Sequence, residues 1–237
     1  MTLGAAACGI PGTSFALALH VDPLTIDIWS DIACPWCYIG KRNFEAGLAR
    51  SGLADSVTVT YHSFELAPDT PVDFDGSEVD FLARHKGLGD AQVRQMLDQV
   101  TAIAAQAGLA YDFGAVRHTK TLAAHELLHF AKAQGRQLEM AERLFSAYFT
   151  EGRHVGRVAD LADLAADVGL DRDAVAAALE SGEFADAVSA DIAQAGRYGI
   201  NSVPFFVLDG RFGIAGAQPP EVFAEALQRA ASEKTGA

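Results

Sequence analysis

The chain has 237 residues, half of them hydrophobic and 21% charged, with a formal net charge of -13; this composition excludes a disordered chain and suits one large or two small globular domains. Its 18 Lys and Arg are scattered among 31 Asp and Glu, so neither nucleic acid nor an anionic membrane is an expected partner. No apolar run approaches the roughly 20 residues of a membrane span, and three cysteines are too few to staple a chain of this length.

Residues 1–22 carry no Lys or Arg ahead of their apolar part, which makes a poor export signal. Cys8 stands among alanines with no room before it for a lipoprotein leader. The stretch reads as a loosely ordered extension, and the expected compartment is cytoplasmic. From Leu24 to Ser30 apolar and polar residues alternate at strand period. Tyr38, Ile39, Phe44 and Leu48 then recur near helical spacing up to Gly52, and Val57 to Leu66 reads as a second strand. Strand, helix and strand in this order predict a parallel βαβ unit.

A loop marked by Pro68, Pro71 and Gly76 follows, and from about 78 to 193 the pattern is helical. Asp90 is a candidate N-cap for a helix whose apolar stripe runs Val93, Met96, Leu97, Val100, Ile103 and Ala104. Further helices are expected at about 119–133, 138–150, 158–168 and 172–180, with Gly135, Gly152 and Gly169 as stops. Strands return at Pro204–Leu208 and Phe212–Ala215, joined by Asp209-Gly210, a type I′ hairpin turn. A last helix spans Glu221 to about Ala231. The expected architecture is α/β, with residues 23–70 and 195–232 forming one domain in two segments and 71–194 an all-helical insertion.

Two of the cysteines form Cys34-Pro35-Trp36-Cys37 at the junction of the first strand and helix. A thiol reacts as its thiolate, and a helix start turns free N–H groups and a positive dipole end toward whatever stands there. Pro35 suits a first turn because it has no N–H to lose. The spacing puts Cys37 one turn further in, where it can attack a mixed disulfide on Cys34, so the pair reads as an exposed nucleophile and a shielded resolving thiol of a thioredoxin-like fold. The bland reading is half a zinc site, but no second Cys or His pair lies at ligand spacing. His125-Glu126-Leu127-Leu128-His129 matches the helical zinc-hydrolase motif H-E-x-x-H, while Lys132 and Gly135 break its extended form. His125 is expected to be buried in the helices and His129 solvated, and no metal is expected.

The run Ser30-Asp31-Ile32-Ala33-Cys34-Pro35-Trp36-Cys37-Tyr38-Ile39-Gly40-Lys41 resembles the start of the FrnE-like branch of the DsbA thiol–disulfide oxidoreductases. Phe64-Glu65-Leu66, Ala124-His125, Leu127-Leu128-His129, Ser202-Val203-Pro204-Phe205-Phe206-Val207 and Gly216-Ala217-Gln218 resemble it too, so the likeness spans about 24 to 232. It implies a thioredoxin fold with a helical insertion and dithiol–disulfide exchange with disulfide-containing proteins or small thiols. By position it makes Cys34 the nucleophile, Cys37 the resolving thiol and Pro204 a cis-proline, with Pro35, Trp36 and Val203 beside the substrate. A proline there leaves the preceding backbone free to pair with an extended chain. DsbA itself has a His between its cysteines, whereas Trp36 is uncharged, which favours a reductase or isomerase over a strong oxidant. No cofactor is implied beyond glutathione or another thiol as co-substrate, with an unidentified reductant. The alternative reading is a glutathione-dependent isomerase or transferase of small aromatic compounds; Cys37 in the resolving position argues against it. A non-enzymatic chaperone using apolar helical surface is the third reading.

Overall fold

The computed structural model describes residues 23–235; the extension at 1–22, Cys8 included, lies outside the described residues. Strands β1 (Leu24–Ser30), β2 (Val57–Ser63), β3 (Phe205–Leu208) and β4 (Phe212–Ala215) form one sheet in the order β2-β1-β3-β4. β1 and β2 are parallel, and helix α1 (Pro35–Ser51) crosses between them. β3 runs antiparallel to β1 and turns into β4 through Asp209 and Gly210, whose φ angles of 51° and 65° are those a type I′ turn needs. Helix α9 (Pro220–Thr235) then returns to the face that α1 covers. This is a thioredoxin-like α/β fold.

Between β2 and β3 stand α2 (Glu78–Lys86), α3 (Asp90–Gln106), α4 (Leu122–Ala133), α5 (Gln137–Phe149), α6 (Val158–Asp167), α7 (Arg172–Ser181) and α8 (Ala185–Tyr198), the helical insertion. Several boundaries differ from the sequence reading: α4 begins at Leu122 rather than about 119, β3 at Phe205 rather than Pro204, and α9 runs on to Thr235. β2 stops at Ser63 rather than Leu66, because the Leu66 amide donates to the Asp31 carboxylate at 2.7 Å instead of to a strand. Gly89, not Asp90, is the N-cap of α3. Periodicity had not separated α8, since its alanine-rich surface buries only Val188 and Ala195.

One face of β1 presents Ile26 and Ile28 to a core shared with Phe44 of α1, Phe206 of β3 and Phe223 of α9. α1 and α9 approach most closely at Gly47, where a Cβ would stand 2.6 Å from the Phe223 Cβ. The other face presents Trp29, whose indole N–H donates to the Asp191 carbonyl of α8 at 3.1 Å. On the edge strand β2, the Tyr61 amide and carbonyl are both taken by the Gln137 side chain at 3.1 and 2.9 Å, which docks α5 where another strand would otherwise pair. α1 meets α5 through Tyr38, stacked on Phe145 at 5.1 Å, and through Lys41 and Arg42, which pair with Glu142. The insertion is thus fixed to both β2 and α1, and it walls in the start of α1.

Candidate redox site

At the end of β1 the chain makes a tight turn before α1. The Asp31 carboxylate, 1% exposed, accepts from the amides of Ala33 (3.2 Å) and Leu66 (2.7 Å), and the Asp31 carbonyl accepts from the Cys34 amide at 3.1 Å. Burial pushes this carboxyl up, but His125 and the two amides outweigh it and hold it below its usual value. The charged Asp31 therefore fixes the turn that presents Cys34. Cys34 is the N-cap of α1 and Pro35 its first residue; the Cys37 amide donates to the Cys34 carbonyl at 3.0 Å, closing the first turn. Tyr111, from the loop after α3, donates its hydroxyl to the Pro35 carbonyl at 2.7 Å and pins the helix start from above.

Both cysteines are unbridged and buried, so Cys34 is not the exposed sulfur that the spacing alone suggests. The Val203 carbonyl covers it, 3.6 Å from Sγ. The Val203–Pro204 peptide is cis, and both residues precede the first paired residue of β3, Phe205. Gly40 makes this approach possible: a Cβ there would stand 2.8 Å from the Pro204 Cγ. Burial, and then the neighbouring Cys34 sulfur, push the Cys37 thiol well up, while the Ser30 hydroxyl and Asp31 amide act the other way. Trp36, between the cysteines, is 39% exposed. In front of Cys34 lies a cavity of about 530 Å³, with Pro35 and Trp36 on one side and Leu82, Met96, Val100 and Ile103 on the other.

The structure thus gathers Cys34, Cys37, Pro35, Trp36, Val203 and Pro204 around one point. It adds Asp31, Tyr111, Gly40 and the outer row of α3, which sequence reasoning had not singled out for the site. Asp31 had a local signal, since an Asp two residues before an amide commonly closes a turn. Tyr111 had none, its partner being 76 residues away.

The H-E-x-x-H segment lies on α4 with its imidazoles turned to different carboxylates. His125 Nε2 is 3.5 Å from Asp31, and His129 Nε2 is 3.0 Å from Asp191. His129 is not solvated as expected, because Asp191 and the Ser63 hydroxyl enclose it on the far side of the sheet. Glu126 lies beside the Phe184 backbone at the start of α8. Among the described residues no three His, Cys, Asp or Glu side chains gather into a metal-holding group.

Residues 25–228 match the family model described as a DSBA-like thioredoxin domain. A probable DsbA oxidoreductase from Streptomyces coelicolor superposes with a TM-score of 0.84 at 40% identity, over 89% of this chain and 91% of that one. Uncharacterized protein YwbO of Bacillus subtilis is 30% identical over 205 residues, 85% of this chain and 94% of that protein. The fold is also that of the cytosolic disulfide reductase DsbM from Pseudomonas aeruginosa, solved with GSH, at a TM-score of 0.62 and 20% identity over 88% of this chain and 99% of that one.

Proposed function

The chain belongs to the DSBA-like thioredoxin domain family, and from that premise we propose that it is a thiol–disulfide oxidoreductase working through Cys34 and Cys37. The observation that carries this reading is the placement of one sulfur at the head of α1, under the Val203 carbonyl, with the second one turn behind it. In the reducing direction the Cys34 thiolate attacks a substrate disulfide, forming a mixed disulfide and releasing one thiolate. Cys37 then loses its proton and attacks the Cys34 sulfur; the Cys34–Cys37 disulfide forms, the second substrate thiol leaves, and two electrons have passed to the substrate. Val203, outside the strand ladder, offers backbone to an extended substrate, and Trp36 offers it an apolar surface.

Reduction or isomerisation suits this site better than strong oxidation, because neither Pro35 nor Trp36 brings a charge to the sulfurs. Regeneration of the dithiol then falls to a low-molecular-mass thiol such as glutathione. A cytoplasmic setting completes the reading; among the described residues no helix is long and apolar enough to cross a membrane. The test is a thiol-coupled disulfide-reduction assay. Cys34→Ser should abolish turnover and Cys37→Ser should trap substrate on Cys34; full activity in both would refute the assignment. Because burial pushes the Cys37 thiol up, resolution should lag behind attack at neutral pH. Acid-quenched mass spectrometry between pH 6 and 9 should find the mixed disulfide shorter-lived as pH rises.

A further inference from the structure

Cys34 is 4% exposed, so a disulfide reaches it by entering the cavity in front of it. About 530 Å³ lies within the range of small-molecule pockets and is far too little for a folded domain. The wall opposite the sulfur is α3. Its inner row, Val93, Leu97, Val100 and Ala104, is buried in the protein, as an amphipathic helix should be, with Leu97 and Val100 also forming the cavity's floor. Met96 and Ile103, seven residues apart and hence on one face, both line the cavity; Met96 also packs against Val79, Val93 and Leu97, while Ile103 is 38% exposed. Apolar surface left open opposite a reactive thiol is surface for something to cover.

Two carboxylates line the cavity at depth, Asp31 held by the Ala33 and Leu66 amides and Glu78 paired with His118. Its exposed rim carries His85 and Lys86, in the last turn of α2, and Lys86 makes no ion pair among the described residues. The helix dipole accounts for basic residues in a last turn. In a chain with a net charge of -13, the exposed Lys86 at the mouth of this cavity is a local point of attraction for an anionic group.

Building on the exchange chemistry above, we propose that the cavity takes low-molecular-mass disulfides whose apolar arm lies on Met96 and Ile103 and whose anionic group faces Lys86, in preference to folded proteins. Cys34 displaces one half as a thiolate, and the arm retained in the mixed disulfide is the one seated on α3. Attack by Cys37 releases that arm as a thiol and leaves the Cys34–Cys37 disulfide, which two equivalents of a low-molecular-mass thiol reduce to the dithiol, departing as their own disulfide.

Stopped-flow rates of the reduced protein with four oxidants test this: 5,5′-dithiobis(2-nitrobenzoate), aromatic and anionic; 4,4′-dithiodipyridine, aromatic and neutral; glutathione disulfide; and insulin. Taking each variant relative to the wild type cancels the reagents' intrinsic reactivity. Ile103→Ser should slow both aromatic reagents about tenfold, the loss expected for one apolar contact, and leave glutathione disulfide and insulin within about twofold. Lys86→Glu should slow the anionic aromatic reagent and spare the neutral one. Aromatic rates untouched by Ile103→Ser, or insulin slowed equally by it, would overturn the proposal. If no oxidant reacts faster with the wild type than with Cys34→Ser, the exchange reading itself has failed and the cavity proposal falls with it.

Discussion

The molecule holds two groupings of imidazoles and carboxylates, to which α4 contributes His125 and His129, one turn apart along the helix. Behind the sheet, His62 bridges Asp191 (2.7 Å) and Asp27 (2.8 Å), stacks on Trp29, and shares Asp191 with His129. Asp191 also accepts from the Ser63 amide at 2.9 Å. Toward the thiol side, the pairs are looser. His125 stands 3.5 Å from Asp31 with neither ring nitrogen hydrogen-bonded, and His118 pairs with Glu78 through one nitrogen at 2.9 Å while its other is buried and unpaired. A cluster whose members are satisfied by one another ties elements together. Buried hydrogen-bonding capacity left unpaired costs stability, and at His118 it lies among the residues that line the cavity in front of Cys34. The rear cluster belongs to the fold, and Asp31 belongs to the site.

Removing Asp191 tests the first half of that contrast and should give the largest effect. Asp191→Ala takes one partner each from His62, His129 and the Ser63 amide, and should cost about 3 kcal/mol, the scale for breaking a buried ion pair, read as a lower urea midpoint. Cys34 exchange rates should stay within about twofold, since Asp191 has no part in the cavity. A collapse of exchange in a still-folded Asp191→Ala would erase the distinction. The rear cluster also has a pH signature. Burial opposes a charged His62, but Asp191 and Asp27 outweigh it and raise its value; Asp191 is itself held far below the usual carboxylate range by His129 and His62 against burial. The His62 contribution is therefore complete below about pH 6.5 and fades as pH rises through the raised value. That of Asp191 is complete above about pH 4 and fades as pH falls. The wild-type urea midpoint should decline above neutrality, and in Asp191→Ala that decline should flatten.

Asp31→Asn addresses the other half. An amide has one acceptor oxygen where the carboxylate uses two, so either Ala33 or Leu66 loses its partner. The cost should be about 2 kcal/mol, that of a hydrogen bond to a charged group, with exchange at Cys34 about tenfold slower because the turn presenting the sulfur loosens. Slower exchange without a comparable loss in the Asp191 variant is the pattern that separates site from scaffold.

What the sequence discloses divides along the same line. Contacts that are local in sequence were legible: the alternation of β1, the Asp209-Gly210 turn, the Cys34–Cys37 spacing at a helix start. Contacts made by distant segments were not. β2 loses its last three expected residues to a carboxylate 35 positions earlier, and Tyr111 reaches Pro35 across 76 residues. The apolar stripe of α3 was visible as a stripe, yet nothing in its periodicity tells Val100, 6% exposed, from Ile103, 38% exposed, on the wall of the same cavity. His129 shows the same limit: an exposed-looking helix position is enclosed because α8 brings back Asp191, 62 residues further on.

Gly40 offers a smaller perturbation. A methyl at Gly40→Ala must displace Pro204, whose Cγ would lie 2.8 Å away. An overpacked contact of this kind should cost about 1 kcal/mol. Because Val203 moves with Pro204, reduction of extended peptide disulfides should fall more than that of 4,4′-dithiodipyridine, which needs no backbone pairing.

Trp36→Ala should have the least effect on the fold and still register in exchange. Its side chain is 39% exposed and stands on the cavity side of α1, so truncation removes surface contact rather than core and should shift stability by under about 0.5 kcal/mol. A large ring left in water beside a buried sulfur gains burial only when something occupies the cavity. Replacing it should therefore slow the aromatic oxidants by about threefold to tenfold, the share of apolar area one partly covered ring contributes, with the urea midpoint unchanged. Equal rates for Trp36→Ala and wild type with both aromatic reagents would mean that the rim next to Cys34 plays no part in recognition, leaving α3 alone to seat the substrate.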